Sequence, residues 1–177
     1  MLSTYILALG TLGTLIAAGL VFKTLKSNHD WQRREYATNI VRDWNTNTSW
    51  HWQAIETVFP HLRDIDRTSG LVSELTRQQA LEIYTCEPSS RAYWELRYHF
   101  IELLNYLEFV AVAYIQNVAD HEIVESCLQL PMVKYHDMFR NVIDVVENCE
   151  GYRPWEPYTQ VVGRWKARSV TIRKSTA

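Results

Sequence analysis

Three features of the sequence predict an all-α chain, with an N-terminal transmembrane helix followed by a cytoplasmic helical bundle. The first 22 residues, Met1 to Phe22, contain no charged side chain. Beyond them, apolar residues recur at three- and four-residue intervals along most of the chain. Strand-like alternation is nearly absent.

The span comes first. At about 1.5 Å per residue, some 20 helical residues cover the roughly 30 Å hydrocarbon layer. Residues 1–24 are assigned to the span, 25–166 to the helical domain and 167–177 to a basic C-terminal tail. A cleaved signal peptide begins with a positive region, but no Lys or Arg precedes Lys23, and no small-x-small cleavage site follows the apolar run. Lys23, Lys26, Arg33 and Arg34 flank the C-terminal side. Positive flanks stay in the cytoplasm, which predicts a single-pass protein with its N-terminus outside and its domain in the cytoplasm.

The span has two unlike halves. On a helical wheel Ser3, Thr4, Gly10, Thr11, Gly13, Thr14, Ala17 and Ala18 share one side, and Tyr5, Leu9, Leu12, Ile16 and Leu20 the other. Inside lipid, helices associate through close backbone packing and hydroxyl hydrogen bonds. Thr4, Gly10, Thr11, Gly13, Thr14, Ala17 and Ala18 are therefore candidates for helix packing or for lining a pore. Single spans also carry small residues without consequence.

The remaining chain suffices for one domain with a core rich in aromatics, since the sequence holds seven Trp, ten Tyr and five Phe. Cys86, Cys127 and Cys149 are widely spaced and form no CxxC pair, which suits a reducing compartment. Charge is unevenly distributed. Residues 23–34 carry net +3, residues 35–156 net −10, and residues 157–177 net +5. Lys23, Lys26, Arg33 and Arg34, and in the tail Arg164, Lys166 and Arg168, suit anionic headgroups, at about 1 kcal/mol each near a membrane surface. The tail equally suits RNA or a solvated end.

Trp31, Ala37, Ile40, Val41 and Trp44 outline one face of a first helix that can run on from the span. Asn45-Thr46-Asn47-Thr48 breaks it, and Thr48 or Ser49 is placed to cap the next. That helix carries Trp52, Ile55 and Phe59 up to Pro60, and residues 61–70 read as a loop ending in Ser69-Gly70. Thr76 and Gln79 form a capping-box pattern for a short helix to Tyr84.

Pro88-Ser89-Ser90 opens a central helix reaching about Asn117. Its stripe is Leu96, Phe100, Leu103, Leu104, Leu107, Val110, Ala111 and Tyr114. Its uncharged run, Phe109 to Val118, is too short to cross a membrane. Asp120 is placed to cap the next helix, and Pro131 to start or kink another with Met132, Tyr135, Phe139, Val142, Ile143 and Val146 on its apolar face. Glu150-Gly151 closes it. Pro157 falls in the first turn of a last helix carrying Val161, Val162 and Trp165.

Chemistry-bearing patterns are incomplete. Glu95, His99 and Glu102 share a helix face, but di-metal bundles use two Glu-x-x-His motifs, and a hydrogen-bonded polar layer fits better. No metal or cofactor is implied. Ribonuclease domains of the HEPN superfamily carry an Arg, roughly four to six residues, then a His, for phosphate binding and acid–base work. No arginine here meets that spacing: Val145, Val146 and Glu147 follow Arg140-Asn141, and Glu102 to Leu104 follow Arg97. Arg91 precedes His99 by one residue too many. Arg91, Arg97, His99, Arg140 and Asn141 remain candidates for a degenerate site; as an alternative they are ordinary surface or core-edge groups.

The stretch Asn105-Tyr106-Leu107-Glu108-Phe109-Val110-Ala111-Val112-Ala113, followed by Asp120 to Val124, resembles a broad family of small bacterial single-span proteins of unknown function. The size and layout also resemble the accessory membrane-pore proteins of type VI-B CRISPR systems. That resemblance implies a HEPN-like helical domain, assembly into a homo-oligomeric ring in the lipid bilayer of the bacterial inner membrane, and a pore. It also implies a functional link to an RNA-guided, RNA-cleaving effector in antiphage defence, through membrane depolarisation. The expectation is a non-enzymatic pore protein. The alternatives are a membrane-tethered degenerate HEPN ribonuclease, with RNA as partner, or a membrane adaptor.

Overall fold

A single helix, α1 (Leu2–Asn47), runs without a break for 46 residues. The computed structural model describes the backbone of residues 2–63, 73–85 and 91–175, and the side chains of residues 20–62, 73–85 and 91–168. The other elements are helical too: α2 (Ser49–Val58), a 3-10 turn (Pro60–Arg63), α3 (Arg77–Thr85), α4 (Arg91–Ile115), α5 (His121–Glu150) and α6 (Glu156–Ser175). No strand occurs among the described residues.

Only the second half of α1 docks. Ala37 and Ile40 are buried, and Val41 and Trp44 pack against the core. Trp31, expected on that face, is instead 62 % exposed, because α1 first meets the bundle at Arg33. Thr48 marks the break but does not cap α2. Its hydroxyl donates back to the Trp44 carbonyl and its backbone is helical, so its oxygen does not reach the first amides of α2.

α4 is the central element, and its whole expected stripe is buried. The expected start at Pro88-Ser89-Ser90 lies outside the described residues. Phe100 meets Phe139 of α5 edge-on, centroids 5.0 Å apart. Of the expected loop 61–70, the residues up to Arg63 form the 3-10 turn, which buries Leu62, and the remainder lies outside the described residues.

The capping box forms as expected. Gln79 N–H donates to Thr76 Oγ1 at 3.2 Å, and Thr76 N–H donates to Gln79 Oε1 at 2.9 Å. Asp120 caps α5, accepting from the amides of Glu122 and Ile123. Gly151 ends α5 at φ 74°, in the left-handed region that costs a side chain strain. Pro131 does not start a helix. It sits inside α5, flanked by buried Leu128 and Met132, whose packing holds the helix across the missing amide donor. Residues 167–175, expected as a tail, continue α6 as helix.

Contacts fix the directions. Down α4, His99 meets His51, Tyr106 meets Ile40, and Phe109 meets Tyr36, so α4 runs antiparallel to the docked part of α1. The α4–α5 turn then reaches Arg33, where α1 leaves the bundle. α6 pairs Tyr158 with Met132 and Trp165 with Glu125, so it runs back towards the same end.

Candidate functional site

The place where α1 leaves the bundle is built by short-range rules. Asn117 adopts φ 57°, a left-handed conformation that asparagine tolerates, and this turns the chain after α4. Val118 and Ala119 N–H then bond back to the Ala113 carbonyl. The next residues grip α1. Asp120 N–H donates to the Arg33 carbonyl at 3.1 Å, Arg33 Nη2 donates to the Ala119 carbonyl at 3.3 Å, and Arg34 pairs with Asp120 at 3.5 Å.

Beyond this clasp every side chain from Leu20 to Gln32 is exposed, including Leu20, Val21, Leu25 and, at 72 %, Phe22. Lys23 and Lys26 stand among them, exposed. Among the described residues no helix is long and apolar enough to cross a membrane. The expected span falls mainly on residues 1–19, whose side chains lie outside the described residues, and with them the candidates Thr4, Gly10, Thr11, Gly13, Thr14, Ala17 and Ala18.

A second knot pins α6 near the same end. Glu125 accepts from the Tyr114 hydroxyl, from Trp165 Nε1 at 3.3 Å and from Arg168 Nη1 at 3.0 Å. The tyrosine hydroxyl, and then the other two donors, hold its carboxyl below the usual range against the opposing effect of burial. Lys166 is paired with Asp137, while Arg164 is exposed. The basic residues of α6 thus lie on the segment that returns towards the exit of α1.

At the opposite end, α2 crosses α4 through a histidine pair. His51 and His99 face each other Nδ1 to Nδ1 at 3.0 Å. Trp50 lies over His51, centroids 3.8 Å apart, and meets His99 edge-on at 5.0 Å. Burial pushes both imidazoles below the ordinary range. His99 adds to the effect on His51, which Glu102 opposes, and Glu95 opposes it at His99. A cleft of about 270 Å³ opens beside the pair, lined by Asn47, Thr48, Glu102, Asn105 and Tyr106.

The sequence did not pair these two histidines. They stand 48 residues apart, and only the paired aromatics Trp50-His51 and Tyr98-His99 hinted at similar surroundings. The expected polar layer on α4 is therefore split: His99 turns to His51, while Glu95 binds Arg91 at 2.8 Å in solvent. No group of three metal-ligating side chains occurs among the described residues.

A larger cleft, about 370 Å³, separates α5 from α6 and is lined by His136, Arg140, Asp144, Glu147, Arg153 and Glu156 among others. Burial, and then Lys166, keep His136 below the ordinary histidine range. Its buried Nδ1 faces the Asp137 carboxylate at 3.7 Å, beyond hydrogen-bond distance, and Asp137 partly opposes that lowering. Acids outnumber arginines on this lining, so it does not favour an anion.

The degenerate-site candidates are engaged separately. Arg91 binds Glu95, and Arg97 donates to the Tyr84 carbonyl at 3.0 Å while stacking on Tyr84. His99 faces His51, Arg140 lines the α5–α6 cleft, and Asn141 donates to the Leu75 carbonyl. Arg97 and Asn141 hold α3 and its approach against α4 and α5.

Fold and clasp together define an all-α bundle from which one long helix projects. Residues 6–165 match the family model described as Domain of unknown function (DUF4760), and the chain belongs to that family. No curated protein and no solved structure matches it.

Proposed function

We propose that the chain is a self-associating, bilayer-anchored protein, with α1 as its span and the helical bundle on the cytoplasmic side. One observation carries this reading. Between Leu20 and Gln32 the helix is exposed on every side, yet it presents Leu20, Val21 and Phe22, which end the charge-free run, and Leu25 just beyond it. Apolar surface left in water costs about 25 cal/mol per Å². A lone projecting helix has no bundle to remove that surface, and a bilayer removes it.

The charges support the same arrangement. Lys23 and Lys26 follow the apolar run, and the basic segment of α6 returns towards the exit of α1. Headgroups of anionic lipid suit both. The small-residue side of the span supplies the self-association, and a ring of such spans supplies a pore. The likeness to type VI-B CRISPR accessory proteins extends the proposal to antiphage defence beside an RNA-cleaving effector. Arg97, His99 and Asn141 are each bound to a different element, which gives the ribonuclease alternative no support.

Reconstitution into liposomes tests the proposal. The full chain resists alkaline carbonate extraction, cross-links into oligomers and passes ions. Replacing Gly10, Thr11 and Thr14 by Leu abolishes the oligomers and the flux but keeps the protein in the membrane. Extraction by carbonate defeats the anchor, and a strictly monomeric protein defeats the assembly.

A further inference from the structure

We propose that the His51–His99 contact is a proton-operated latch, which holds α2 on α4 at the elbow where α1 ends. The geometry requires a single proton between the two rings. At 3.0 Å, one Nδ1 carries the hydrogen and the other offers its lone pair. His51 lies three residues beyond Thr48, the break between α1 and α2, so the pair acts on the first turn of α2.

The proton count follows from the rings. In the neutral pair the donor ring has a bare Nε2 and the acceptor ring a protonated one. A first added proton takes the bare Nε2. The bond then runs from an imidazolium to an imidazole and is strengthened by charge. A second proton has only the accepting Nδ1 to occupy. Both Nδ1 atoms then carry hydrogen, two cations face each other, and the bond is gone. The latch holds through the first protonation and opens at the second.

The surroundings set where this falls. α4 faces the pair with Glu95, Tyr98 and Glu102, and Arg91 binds Glu95. The end of α1 supplies Asn47 and Thr48, which do not titrate, and its charged Arg42 and Asp43 are exposed. The 3-10 turn places His61 against Phe59. The two carboxylates favour the singly charged pair, while burial and mutual repulsion oppose the doubly charged one. Opening therefore lies on the acid side of ordinary histidine titration. Once open, the cleft at Asn47, Thr48 and Glu102 admits water.

Hydrogen exchange of the full chain in detergent micelles, followed as pH falls and corrected for intrinsic rates, tests the latch. Amides of α2, residues 49–58, lose roughly tenfold or more of their protection, with the pH dependence of one proton taken up by the singly charged pair, while α4 amides 103–110 stay protected. His51→Gln and His99→Gln each leave an uncharged partner, and each keeps α2 closed through the same range. The α4 amides report whether either variant has kept the bundle, and each variant tests the other ring. Opening of α2 at the same pH in a folded variant overturns the proposal. So does joint loss of α2 and α4 protection in the parent chain, or an α2 that never opens while the bundle persists.

Discussion

Asp120 holds Arg33 by its main chain: the Asp120 amide donates to the Arg33 carbonyl at 3.1 Å. The Asp120 side chain meanwhile caps α5 and pairs with Arg34. One residue thus starts a helix and fastens a neighbouring one. Asp120→Ala keeps the main-chain bond and loses the cap and the ion pair, lowering stability by about 1–2 kcal/mol. Chemical denaturation measures the loss. Asp120→Asn, which still caps, loses less than half as much.

Glu125 gives the bundle a pH-dependent fastening. Its folded carboxyl lies below the ordinary range, foremost through the Tyr114 hydroxyl. A depressed acid contributes stability that is full above its unfolded pKa and is lost as pH falls through its folded one. Glu125→Ala destabilises by about 1–2 kcal/mol at neutral pH through lost hydrogen bonds to Tyr114, Trp165 and Arg168. Denaturation of parent and variant at a series of pH values shows the gap narrowing below about pH 4.

Gly151 and Gly163 make a matched pair. A Cβ at either meets nothing within 4 Å, but Gly151 has φ 74° and Gly163 lies within α6. Gly151→Ala destabilises by about 1 kcal/mol because of its backbone alone. Gly163→Ala stabilises by about 0.5–1 kcal/mol, because glycine weakens a helix interior. Thermal unfolding of the two variants shifts in opposite directions.

Pro131 interrupts the amide ladder of α5. Pro131→Ala restores a donor to the Cys127 carbonyl and stabilises the helix by about 1–3 kcal/mol. Slower exchange of amides around residue 131 reports the repair. Unchanged exchange there shows that the surrounding packing already compensates.

Local rules read well from sequence where partners stand within a few residues. Thr76 with Gln79, Asp120 with the two amides it caps, and Gly151 were all legible, and so was the buried stripe of α4. Two local expectations failed for tertiary reasons. Trp31 has the right period but lies before the point where α1 docks. The Thr48 hydroxyl found the Trp44 carbonyl behind it instead of the amides ahead. Of the two readings of Pro131, a helix start is excluded, because α5 runs through it with buried Leu128 and Met132 beside it. The histidine pair and the Glu125 knot were illegible because their members come from different helices, and periodicity says which face is apolar, not which residues meet across it.

The unbroken course of α1 has a mechanical consequence. From Arg33 to its first residue the helix spans about 47 Å at 1.5 Å per residue. Such a rod does not absorb bending locally, so a tilt of about 5° at the clasp displaces the far tip by about 4 Å. The clasp at Arg33 and Asp120, where the docked part of α1 gives way to the exposed part, is thus the point from which any tilt is magnified.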